Sequence, residues 1–152
     1  MRPAGPIRRS AFAACQMRAA QPAPAGMPRR ARSRYTHPMS RIDTFEAMLA
    51  RGPDNEMLRF SLGNAYLAED RPSEAGKHLA RAVELKPDYS AAWKQLGRAL
   101  AASGEPNAAL EAFESGRRAA ESNGDKQTAK EIAVFSRRVR RQLAEQEPPG
   151  SP

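Results

Sequence analysis

The chain has 152 residues, and 25 Lys and Arg against 17 Asp and Glu leave a formal net charge of +8. A single cysteine, Cys15, excludes an intramolecular disulfide framework, and no apolar run approaches the roughly 20 residues that cross a bilayer as a helix. The length suits one small domain with appendages, in a protein expected to be soluble and cytoplasmic.

The basicity belongs to the N-terminal segment. Residues 1–38 hold eight arginines, six prolines and nine alanines with no lysine and no acid, so the other 114 residues carry 17 bases against 17 acids. Such a stretch buries too little apolar surface to offset chain entropy, and residues 1–40 are expected to form a disordered tail. Three sharper readings of it stay open. Arg8-Arg9 before Ser10-Ala-Phe-Ala-Ala-Cys15 outlines an export signal, but its apolar core is shorter than the roughly 7–15 residues required. An acid-free, Arg-rich segment also suits an organelle transit peptide, or a basic arm for nucleic-acid phosphates whose stacking aromatics are Phe12 and Tyr35. The preferred reading is that translation starts at Met39, where Met-Ser-Arg-Ile-Asp-Thr-Phe opens the helical periodicity.

A helix is expected over 42–51, with Ile42, Phe45, Met48 and Leu49 on one face and Asp43 and Glu46 at capping-box spacing. After it the chain repeats itself with a period of 34 residues: 56–89 and 90–123 align with Leu62-Gly63 on Leu96-Gly97, Ala65 on Ala99, Ala75 on Ala109 and Leu79 on Phe113. Each unit breaks near its middle, at Asp70-Arg-Pro72 and Gly104-Glu-Pro106, with the proline placed to open a second helix. Two helices joined so tightly meet where small residues face each other, and Gly63 with Ala75 and Gly97 with Ala109 fit that need. Pro87 closes the first unit and Asp88 is placed to cap the helix that follows. A half-unit precedes both, since stepping back from Leu79 and Pro87 lands on Phe45 and Pro53. Downstream, Lys130 and Glu131 fall on the Leu-Gly slots and the frame breaks. Ile132, Phe135, Val139 and Leu143 instead form a stripe for a capping helix over 125–146, ahead of a disordered 147–152.

The period and its residues resemble the tetratricopeptide repeat. The first unit matches with Leu62-Gly63, Tyr66, Ala75, Ala82 and Pro87, with Arg59 in the Trp slot and Leu79 in the Phe slot. The second matches with Trp93, Leu96-Gly97, Ala109 and Phe113, while Leu100, Gly116 and Glu121 replace Tyr, Ala and Pro. The resemblance covers residues 41–146 and implies an all-α, short α-solenoid of about six helices in antiparallel pairs, with a concave face. It also implies that peptide segments are held from the second, fifth, ninth and twelfth positions of each first helix. Those positions are Met57, Phe60, Asn64 and Leu67, then Ala91, Lys94, Arg98 and Ala101. A carboxylate clamp of the family's chaperone-binding kind is not expected, because only Asn64 matches: Phe60, Gln95, Asp125 and Ala129 stand in its other slots.

Little chemistry competes with binding. The histidines are His37, in the tail, and His78, expected at a helix surface or boundary; no zinc spacing, triad or phosphate loop is present, so neither catalysis nor a cofactor or metal is expected. The expected function is a protein-interaction adaptor for a segment with apolar anchors and acidic character. The alternatives are polyanion binding through the Arg-rich tail with Arg137–Arg141, which the neutral domain disfavours, and a structural module that self-associates.

Overall fold

The computed structural model describes residues 25–26 and 39–150, so the disordered, targeting and basic-arm readings of the N-terminal tail lie outside the described residues. The chain divides into Met1–Ser40 and Arg41–Pro152; of the first, Ala25–Gly26 form a turn. The described residues of the second form six helices: α1 (Arg41–Arg51), α2 (Glu56–Ala68), α3 (Pro72–Leu85), α4 (Ser90–Ala102), α5 (Pro106–Asn123) and α6 (Lys126–Gln146). No strand occurs among the described residues, and the chain is an all-α solenoid.

Local chemistry sets the ends. The Asn55 side chain accepts from Leu58 N at 2.7 Å and starts α2, and that of Asp125 accepts from Thr128 N at 3.0 Å and starts α6. Pro72 and Pro106 open α3 and α5, where a missing N–H costs nothing. The preceding turns share one left-handed residue, Asp70 at φ 58° and Gly104 at φ 86°. They also share one closure, Arg71 N to Tyr66 O and Glu105 N to Leu100 O, both at 2.9 Å. Two expected caps differ. α1 begins at Arg41, so Asp43 sits inside its first turn, and Glu46 accepts a hydrogen bond from the Tyr66 hydroxyl on α2 instead of reaching back to cap. Tyr89, with no side-chain cap bond, precedes α4; Asp88 contributes its carbonyl, which accepts from Asn123 Nδ2 at 2.7 Å.

Each helix packs on the next, and the first helices α2, α4 and α6 also touch in sequence. The small residues act differently from the expected pairing with Ala75 and Ala109. A Cβ at Gly63 would lie 2.3 Å from Leu79 Cγ, and one at Gly97 2.4 Å from Phe113 Cε1, so each glycine makes room for the largest core residue of the paired helix. Gly116, a departure from the family's alanine, does the same for Trp93 Cβ at 2.7 Å and Ile132 Cδ1 at 3.0 Å.

The third unit is displaced in register. Glu56 to Ser90 is 34 residues but Ser90 to Lys126 is 36, because α5 runs to 18 residues where α3 has 14 while the loop after it has two residues where the loop after α3 has four. Shifted by two, the frame resumes: Thr128 takes the slot of Leu58 and Ala92, and Ile132-Ala133 takes that of Leu62-Gly63 and Leu96-Gly97. Thr128 and Ile132 are buried like their counterparts. Thus α6 stands in the place of the first helix of a third unit, and α1 in that of the second helix of a leading unit.

Candidate functional site

The first helices α2, α4 and α6 lie side by side and carry the residues expected at the groove. On α2, Met57 stands exposed, Phe60 is half-buried with its ring 5.0 Å from that of Tyr89, and Leu67 packs on the core edge. Asn64 lines a cleft together with Phe45, and its Oδ1 is buried and accepts no hydrogen bond from the described residues. On α4, Ala91 and Ala101 are half-buried and leave the face flat between larger neighbours.

Lys94 and Arg98 share a face, but their surroundings differ. Lys94 is ion-paired to Glu131 of α6, and its side chain is 19% exposed. The pair holds the Glu131 carboxyl below its ordinary range, Lys94 contributing most and Gln127 next. Arg98 is exposed, donates to Gln95 Oε1 at 2.8 Å and stacks its guanidinium over the Phe135 ring at 5.3 Å. Arg138 lies over the same ring at 5.9 Å, and Phe135 stacks in turn on Phe113 at 6.1 Å. Among the described residues neither arginine has a carboxylate within ion-pair distance. The run Arg137, Arg138, Arg140 and Arg141 is exposed while Val139 is buried. On the shifted register, Gln127, Lys130, Val134 and Arg137 of α6 stand at the positions that match Met57, Phe60, Asn64 and Leu67 of α2, and Val134 is 52% exposed.

The Trp slot of the first unit holds a polar cluster. Arg59 donates to Asp54 Oδ1 at 2.6 Å and Oδ2 at 3.2 Å, and Arg81 donates to Oδ2 at 2.9 Å. The Arg59 hydrogen bond, followed by that of Arg81, lowers the Asp54 pKa to about 2. His78, half-buried, stacks on Tyr66 at 5.3 Å and lies 3.0 Å from Arg59. Burial, then the Arg59 charge, pushes it below its ordinary value. The hydrogen bond to Glu46, then burial, raises Tyr66 to about 12. These contacts tie α1, α2 and α3 together. Among the described residues no group of three or more His, Cys, Asp or Glu side chains is placed to hold a metal ion.

A curated relative, a TPR repeat-containing protein of Pseudomonas aeruginosa, is 47% identical over 100 residues, which span 66% of this chain and 95% of that protein. This chain belongs to the tetratricopeptide repeat family. The family's model matches residues 66–130 of this TPR chain. The solution structure of a Bordetella parapertussis protein superposes with a TM-score of 0.61 at 45% identity, covering 69% of the TPR chain and 91% of that one. The crystal structure of the Sgt2 TPR domain of Aspergillus fumigatus gives 0.59 at 26% identity, covering 73% and 74%. TPR proteins mediate protein–protein interactions, and no helix among the described residues is long and apolar enough to cross a membrane.

Proposed function

We propose that the chain is a non-catalytic adaptor whose concave face takes an extended or helical segment of a partner protein. Apolar side chains of that segment meet Met57, Phe60 and Leu67, its backbone passes the Asn64 amide, and an acidic side chain meets Arg98. The observation that supports this best is the stacking of Arg98 on Phe135. It fixes a cation at the rim of an apolar trough, with a neutral amide as its hydrogen-bond partner. A rim ion pair is worth only about 0–1 kcal/mol, so affinity rests on the apolar contacts while the cation sets specificity and on-rate. Lys94, already neutralised by Glu131, is a brace between α4 and α6 in this reading.

Selection of displayed random peptides against the full chain tests it. Binders are expected to share an acidic residue next to two apolar ones. Arg98→Glu is expected to abolish the acidic preference and the salt dependence of binding, and Phe60→Ala to weaken binding with that dependence kept. An unchanged consensus on Arg98→Glu places the binding face elsewhere.

A further inference from the structure

A hollow of about 300 Å³ lies where α4, α5 and α6 meet, and two guanidiniums line it together, Arg98 from α4 and Arg138 from α6. Each lies over the Phe135 ring, at 5.3 and 5.9 Å. Arg98 uses one N–H on Gln95 Oε1, and contact with a ring face leaves the other donors of both arginines open to a ligand. The remaining polar side chain of the hollow is the Gln142 amide, and none of the residues lining it is acidic. Lys94 adds no free charge nearby, being paired to Glu131. The stretches outside the described residues, 1–24, 27–38 and 151–152, contain no Asp or Glu, so none of their side chains neutralises the two arginines at neutral pH. All the walls come from helices of one compact unit, and the hollow does not depend on what adjoins either end of the solenoid.

Two cations in one hollow set the charge of its occupant. A carboxylate brings one negative charge and two oxygens, which leaves one guanidinium unmatched. A phosphoryl group carries a charge of about −1.5 to −2 at neutral pH and three acceptor oxygens, enough for two guanidinium forks and an amide. The rest of the lining is apolar, with Ala101 and Ala102 on α4 and Val139 on α6 beside the phenylalanine rings. The phosphoryl group therefore arrives on an apolar stem, and phosphotyrosine is the protein side chain that joins the two. On the reading of the groove as a peptide site, we infer that this hollow holds a phosphotyrosine of the bound segment. Its phosphoryl oxygens accept from Arg98, Arg138 and Gln142, and its ring lies against Ala101 and Ala102. Capture of the partner is thereby switched on by phosphorylation, and an Asp or Glu at the same place, which meets Arg98 alone, is the weaker substitute.

NMR titration of the isotope-labelled full chain with phenyl phosphate as the probe tests this. Saturable shifts are expected at the Nε–H groups of Arg98 and Arg138 and at the Gln142 amide. Benzoate, with the ring and one charge, and inorganic phosphate, with the charge and no ring, are each expected to bind at least about fivefold more weakly. Arg98→Gln and Arg138→Gln are each expected to weaken phenyl phosphate at least about tenfold, and Arg140→Gln, at an exposed residue outside the hollow, to leave it unchanged. Arg98 and Arg138 are exposed, so circular dichroism is expected to show wild-type helicity in both variants. In a peptide selected against the chain, phosphotyrosine in place of the acidic residue is expected to tighten binding at least about tenfold, and Arg138→Gln to remove that gain. Equal affinity for benzoate, equal affinity for inorganic phosphate, or an effect of Arg98→Gln that Arg138→Gln does not share each overturns the inference. A chain that selects peptides but binds no phenyl phosphate overturns it too and keeps the groove, whereas one that binds phenyl phosphate but selects no peptides overturns the groove.

Discussion

Gly63 and Gly97 each sit where a side chain has no room, whereas Gly76, inside α3, has no atom within 4 Å of where its Cβ would be. Gly63→Ala and Gly97→Ala are therefore expected to destabilise the fold by about 1–3 kcal/mol each, and Gly76→Ala to stabilise it by about 0.5–1 kcal/mol; urea melts read all three. Asp54 carries a second test at this scale. Its folded pKa of about 2 lies below the ordinary carboxylate value, so its bonds to Arg59 and Arg81 contribute fully above about pH 4 and are lost as pH falls towards 2. Asp54→Asn is expected to cost about 1–2 kcal/mol at neutral pH and to flatten the acid limb of a plot of melting temperature against pH. An acid limb unchanged in the variant assigns acid sensitivity to other carboxylates.

The helices differ in how firmly they are held. α2 to α5 are packed on both sides by sequence neighbours, but α6 is held on one flank, through Ile132 and Val139 at full burial and Phe135 at half burial. Ile132→Ala is expected to cost about 2–5 kcal/mol, a large share of a small domain's stability, and to free the α5–α6 end. Phe135→Ala removes a half-exposed ring and is expected to cost less, while also removing the surface on which Arg98 and Arg138 stack. Hydrogen exchange along α6 separates the two: Ile132→Ala is expected to speed exchange across the whole helix, and Phe135→Ala only near its own turn. Equal and complete loss of protection in both variants makes Phe135 as much a part of the core as Ile132.

For the molecule as a whole, the distribution of charge matters more than its sum. The 114 residues after Pro38 are neutral, yet the arginines of α6 gather at one end and the acids of α1 and α2 at the other. Peptide capture at Arg98 is expected to weaken with salt, since it rests on a partly exposed charge. Arg98→Glu is expected to remove that salt dependence, read as binding of a selected peptide across a salt series.

The period of 34, the turn residues and the filling of the Leu-Gly and Phe slots were legible in the residues themselves, because helix length, turn type and small-residue spacing are local properties. Fold class and the faces of α2 and α4 follow from them. That the helix after Pro106 runs on to Asn123-Gly124 is legible too, from the missing closing proline, but the register of α6 was not, since the proline does not say how many residues the shorter loop gives back, and the net shift is two. Nor were the partners of the groove cations. Lys94 and Glu131 are 37 residues apart, so only packing of α6 against α4 decides that one cation is neutralised while Arg98 is left to an aromatic ring. Local sequence sets which residues a helix presents; what they meet is set by the neighbouring helix, whose rotation depends on every residue in between.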